Sequence, residues 1–202
     1  MLDFAVEREY FARGCRTVAG VDEVGRGPWA GPVVAAAVVV APDSPWLEGV
    51  NDSKQLTRRR REDLAAAIVS GLVHAVGAAS VREVDRLNIR RATALAMRRA
   101  LARLPAAADA VVVDGLPVPE LGTEHDALVD GDAKCYAVAC ASIVAKTVRD
   151  RLMRRLAARY PDFGWEQNAG YGTPAHRAAL DRRGPTPHHR RSFTPVVQRA
   201  LL

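Results

Sequence analysis

The chain has 202 residues, 49% hydrophobic and 26% charged, which suits one domain with a sizeable core and excludes wholesale disorder. Its 29 Lys and Arg against 23 Asp and Glu give a net charge of +6, compatible with a polyanionic partner. No run approaches the roughly 20 apolar residues of a membrane span, and the charged start MLDFAVEREYFARGCRTVAG lacks a signal peptide's apolar centre, so a soluble cytoplasmic protein is expected.

Residues 17–22 and 32–40 read as strands, Val-rich and separated by Gly and Pro. The segment EGVNDSKQLT is polar and turn-like, and Thr57 is placed to cap a helix through RRRREDLAAAIVSGL. Residues 73–81 give a third strand. Asn88 is predicted to cap the long helix IRRATALAMRRALARL, which stops at Pro105. DAVVVDG, residues 109–115, is a short buried strand ending on an acid and a glycine. A second long helix is predicted from about residue 133 to 160, with Ala137, Ala141, Val144, Val148 and Leu152 on one stripe. The remainder is loop-rich with one short helix. Strand and helix alternation therefore predicts an α/β layered domain over residues 1–160. Residues 161–202 form a C-terminal extension folded onto it, within a single structural unit. Cys15, Cys135 and Cys140 have no CxxC spacing, which argues against a disulfide scaffold or a zinc site.

Four acids stand where folding does not need them. Asp22 and Glu23 close the first strand, Asp114 closes AVVVD, and Asp132 stands in VDGDAK at the mouth of the second long helix. Neighbouring strands would bring them to one sheet edge, beyond the carboxyl ends where ligands bind in such sheets. Carboxylates gathered there repel one another unless a cation joins them. Magnesium or manganese prefers such hard oxygens, and two ions about 4 Å apart can clamp a phosphodiester. Asp132 would also gain from the partial positive charge of a helix N-terminus. Adjacent strand residues point to opposite faces, so Asp22 and Glu23 share a site only if the strand breaks there, which Gly25 and Gly27 would permit. Otherwise Glu23 would bind through its backbone carbonyl. The competing reading makes each acid a solvated turn, loop entry or cap.

The segments GVDEVGRGPWAGPVVAAAVV, NDSKQL, NIRRATALAM, VVVDG, GDAKCYAVACASIVAKTVRDRLM and NAGYGTPAH occur in this order. Together they resemble bacterial ribonuclease HII, the type 2 ribonuclease H family, from about Val18 to Phe193. That resemblance implies a ribonuclease H-like fold with a mixed five-stranded sheet flanked by helices. It also implies a divalent-metal endonuclease that cuts the RNA of RNA–DNA hybrids. A further implied activity is nicking on the 5′ side of single ribonucleotides embedded in duplex DNA, leaving 3′-hydroxyl and 5′-phosphate ends, for ribonucleotide removal.

The resemblance places the catalytic and metal-binding quartet on Asp22, Glu23, Asp114 and Asp132, with Mg2+ or Mn2+, two ions when substrate is bound. Gly25, Arg26 and Gly27 match the loop that reads the ribose 2′-hydroxyl through backbone groups. Glycines allow that close approach, and the 2′-hydroxyl distinguishes RNA from DNA. Tyr171 matches a ring that packs on the following deoxyribose. Lys54, Ser142 and Lys146 match positions near the nucleic-acid backbone, where contacts position without specifying. Arg58 to Arg61 and the HHRR run at 188–191 read as solvated charge outside the site. Nucleic acid is the expected partner, with no membrane, and a monomer is expected. A small-molecule phosphate loop would need a helix directly after GRG, whereas PWAGPVVAAAVVV is Pro-broken and β-rich.

Overall fold

The computed structural model describes residues 2–200, and side chains as far as residue 198. Position 1 and positions 201–202, the outer ends of the two expected segments, lie outside the described residues.

The five strands are β1 (Val18–Val24), β2 (Val33–Val40), β3 (Val73–Ala79), β4 (Ala110–Asp114) and β5 (Asp126–Leu128). They form one sheet in the order β3-β2-β1-β4-β5. β2 is antiparallel to both neighbours, while β4 runs parallel to β1 and β5 parallel to β4. The sheet is therefore mixed, as expected. The carboxyl ends of β1, β4 and β5 emerge on one edge.

Side-chain alternation divides the core into two layers. Val18, Ala36, Val38 and Val112 face one cluster. It is completed by α4 (Tyr136–Arg159), α2 (Arg58–Gly71) and the partly buried Val6, Tyr10 and Phe11 of α1 (Ala5–Ala12). Ala19, Val21, Ala35, Ala37 and Val113 face the other, against α3 (Val81–Leu101). Helix α4 differs from the single stripe predicted for it, because Tyr136 through Ala145 are all buried. The sheet covers one side of that segment and α1 and α2 cover the other. At Gly20 the helix sits directly on β1, since a β-carbon there would lie 2.1 Å from the Ala137 carbonyl carbon.

Thr57 caps α2, accepting from the Arg60 amide at 3.3 Å. Asn88 caps as predicted, its Oδ1 accepting from the Arg91 amide at 3.1 Å. The helix nevertheless begins earlier, at a Ser80–Glu83 capping box, and turns sharply at Asn88, whose φ is 66°. Beyond residue 160 the chain carries α5 (Trp165–Asn168), α6 (Pro174–Arg183) and α7 (Thr194–Ala200), more helix than the sequence suggested. Trp165, Phe163, Ala179 and Leu180 bury themselves against Met153 and Ala157 of α4. No helix of the described residues is long and apolar enough to cross a membrane.

Candidate active site

Three parallel strands deliver the acids. Asp22 follows Val21, which pairs with Val113 of β4, so Asp22 and Asp114 stand side by side where the pairing of β1 with β4 runs out. β5 runs out at Leu128 beside Asp114, and the short turn Gly131–Ala133 then carries Asp132. The Gly131 amide donates to Asp114 Oδ1 at 2.7 Å, which locks that turn to the end of β4.

The strand does not break between Asp22 and Glu23. β1 stays in register with β2 through both acids, Asp22 opposite Ala36 and Glu23 opposite Ala35. The break comes at Gly25, φ 92°, where a β-carbon would collide with the Arg149 side chain. Asp22 therefore faces α4 and is buried, while Glu23 lies on the opposite face, half-buried. Asp114 joins them across the strand ends, because its charge is felt by Asp22, Glu23 and Asp132 alike.

Electrostatics follow from this crowding. Burial first, then Glu23 and Asp114, pushes the Asp22 carboxyl well above the usual carboxylate range. Burial also raises Glu23 against the opposing pull of Arg26, whose Nη1 lies 3.3 Å from Glu23 Oε1. Asp132 is raised by burial, Asp114 and Asp52, and is countered by Lys54 Nζ at 3.5 Å. Burial lowers Lys54, but Asp132, Asp52 and Asp22 outweigh it and leave it raised.

The neighbouring loops are held together. A β-carbon at Gly27 would lie 3.3 Å from the Tyr171 ring, so the ring rests against the GRG loop with half its surface exposed. Trp29 donates its amide to the Gly170 carbonyl at 2.8 Å, and Gly172 lies against the Trp29 indole. The chain below Tyr171 is fixed by a buried run of directed hydrogen bonds. His189 Nδ1 accepts from the Thr186 amide, which leaves its Nε2–H to face His176 Nε2 at 2.9 Å. His176 Nδ1–H then meets the Tyr171 carbonyl at 2.8 Å.

Three further positions complete the surroundings of the acids. Ser142, matched to a position near the nucleic-acid backbone, is buried behind the acids. Its hydroxyl reaches Asp22 and lies 2.9 Å from Ser53 Oγ. Lys146, one turn further along α4, is partly exposed and pairs with Asp150 at 2.8 Å. Asp132 does not cap α4. The first-turn amide of Ala137 goes at 2.7 Å to Glu7, a fully buried residue of α1. Asp52 and Ser53 were missed although they lie in the quoted NDSKQL segment, where only the lysine suggested chemistry.

The Ribonuclease HII family profile matches residues 19–196. A ribonuclease HII of Paracoccus denitrificans is 55% identical over 196 residues, covering 96% of this chain and 92% of the relative. The chain belongs to the ribonuclease HII family. It is an endoribonuclease, a phosphodiester hydrolase with ribonuclease H activity on RNA–DNA. Ribonuclease HII and its relatives share the architecture described above. The structure of ribonuclease H2 from Pyrococcus horikoshii OT3 superposes with a TM-score of 0.78 at 30% identity, over 92% of this chain and 97% of that one. That of Bst-RNase HIII in complex with Mn2+ gives 0.76 at 25% identity, over 92% and 69%. The fold is accordingly ribonuclease H-like.

The acids of this family member suit a hard divalent cation in donor chemistry and in charge. Among the described residues, no three acid, His or Cys side chains already stand in ligating positions. With Asp22 and Glu23 on opposite faces of an unbroken strand, the other expectation applies, in which Glu23 would offer its backbone carbonyl to a shared ion. The two cations facing the acids, Lys54 and Arg26, have side chains 77% and 58% exposed, so both can swing away.

Proposed function

We propose that this enzyme nicks duplex DNA on the 5′ side of a single embedded ribonucleotide, leaving 3′-hydroxyl and 5′-phosphate ends, and also cuts the RNA strand of RNA–DNA hybrids. The observation that carries this reading is the contact between the Gly25–Gly27 loop and the Tyr171 ring. Arg26 of the same loop reaches Glu23, so a junction reader and a carboxylate cluster lie side by side.

In this reading Asp22, Glu23, Asp114 and Asp132 hold Mg2+ or Mn2+, two ions when substrate is present. Bound divalent ions would supply an activated water and charge stabilisation for the leaving 3′-oxygen. Ser142 orients the Asp22 carboxylate. Gly25, Arg26 and Gly27 meet the ribose, where a 2′-hydroxyl offers a hydrogen-bonding partner that deoxyribose lacks. The Tyr171 ring packs on the next sugar, where a 2′-hydroxyl would crowd it. Lys54 and Lys146 face phosphates, contacts that fix position. The segment from residue 161 works as part of the same unit, because it supplies Tyr171. The biological role proposed is removal of ribonucleotides from DNA, by a cytoplasmic monomer.

The test is incubation of a duplex carrying one ribonucleotide with Mg2+ or Mn2+, with end-group analysis of the products. Incision 5′ of the ribonucleotide, abolished in Asp22→Asn, is expected. No incision, or an undiminished rate in that variant, would refute the mechanism.

A further inference from the structure

The HHRR run does not behave as solvated charge. Arg191 is exposed, but Arg190 is fully buried, and its guanidinium is spent on backbone carbonyls. Nη1 donates to the Arg26 carbonyl at 2.8 Å, and Nη2 to the Gly25 carbonyl. Nε and Nη2 both reach the Gly31 carbonyl, at 3.0 and 2.9 Å. The Arg190 amide donates to the Trp29 carbonyl at 2.8 Å, and Ala30 bridges to His189, so the loop and this segment are stitched along their backbones. A buried guanidinium is costly to desolvate, and this one gathers the carbonyls of a single loop.

The orientation has a consequence for the other half of each peptide unit. No cis peptide bond is present among the described residues, and in a trans unit the C=O and N–H point in opposite directions. Turning the Gly25 carbonyl inward turns the Arg26 N–H outward. Turning the Arg26 carbonyl inward does the same for the Gly27 N–H. Gly25 is buried while Arg26 and Gly27 are exposed, and Gly27 is the residue against which the Tyr171 ring rests. Successive outward amides form a small donor site for an oxygen.

We propose that Arg190 is a positioning residue for sugar discrimination: by holding the Gly25 and Arg26 carbonyls inward, it presents the Arg26 and Gly27 amides to the 2′-hydroxyl of the ribonucleotide. This inference rests on the substrate reading above and adds the residue that sets the loop's polarity. Arg149 is also buried and spent on carbonyls, those of Ala30, Pro32 and Ala169, and its side chain packs against Gly25. The control is Arg99, whose partners, the Ala78 carbonyl and Glu83, belong to β3 and the start of α3.

The experiment measures binding of two duplexes that differ only in one 2′-hydroxyl, in an Asp22→Asn background that does not cut. Arg190→Lys, whose single ammonium cannot reproduce the four directed bonds of the planar guanidinium, is expected to lose about tenfold of the preference for the ribonucleotide duplex. Arg99→Gln is expected to lower the melting temperature while keeping the preference. Equal loss of preference in both variants, or full retention in Arg190→Lys, overturns the positioning role alone. A background protein with no preference overturns the substrate reading, and this role with it. Amide exchange on the unsubstituted chain with Ca2+ gives a readout independent of variant folding. Protection of the Arg26 and Gly27 amides by the ribonucleotide duplex beyond the all-DNA duplex is expected, and equal protection overturns the proposal.

Discussion

The Lys54 ammonium lies 3.5 Å from the Asp132 carboxylate, at the rim of a cluster that otherwise contains only negative groups on that side. Because the side chain is 77% exposed, the lysine can exchange this partner for a phosphate without repacking. Lys54→Ala should leave the melting temperature nearly unchanged and weaken duplex binding several-fold. The slope of log affinity against log salt should fall by about one. An unchanged slope would remove Lys54 from the phosphate track.

Asp22 is a liability to the ion-free fold. Its folded pKa is raised, so its contribution to stability is fully present below the unfolded carboxylate pKa, near 4. That contribution is lost as pH rises toward the folded value. The ion-free protein should therefore be less stable at pH 7 than at pH 5, and Asp22→Asn should stabilise it by about 1–2 kcal/mol in EDTA. Adding Mg2+ should stabilise the parent more than the variant while the variant stays inactive. Thermal melts with and without chelator measure both effects, and a variant no more stable in EDTA would contradict the burial argument.

Glu83 shows the opposite sign. Arg99, then the amide and hydroxyl of Ser80, hold its carboxyl down at about 2. Its stabilisation is present above the unfolded value of about 4.5 and fades as pH falls through about 2. Solvent screening keeps the pair modest, so Glu83→Gln should cost about 1 kcal/mol at pH 7. The cost should shrink toward zero near pH 2, and denaturant midpoints across that range give the answer.

Tyr171 tests junction reading separately from catalysis. Tyr171→Ala removes a half-exposed ring held from below by His176, so the fold should survive. Incision at a single ribonucleotide should drop roughly tenfold, on the scale of one lost stacking contact. Cleavage of a long RNA–DNA hybrid should fall less. Equal losses on the two substrates would argue that the ring does not sense the junction.

The acids were legible because each borders an apolar run of the sequence, a place that folding alone does not fill with charge. Their arrangement was less so. The glycines suggested a break between Asp22 and Glu23, yet pairing with β2 carries the strand through both and keeps their side chains on opposite faces. The side to which Ser142 points depends on what covers α4, and α1 was invisible because its buried Glu7 looks like an ordinary helix-surface acid. Arg149 and Arg190 were hidden for the same reason. Nothing in RDRLMRR or HHRR distinguishes an arginine in water from one enclosed by carbonyls that come from distant parts of the chain.

That last separation bears on how the enzyme is made. The contact between Arg190 and Gly25 spans 165 positions, so the loop beside the acids leaves the ribosome long before the residue that sets its shape. Closing so long a loop comes late on any folding route. A nascent chain can build β1, β2 and β3 while its substrate-reading surface is still unfinished. On the proposed role of Arg190, selectivity is therefore completed only after all four acids, the last of them Asp132, have already been made.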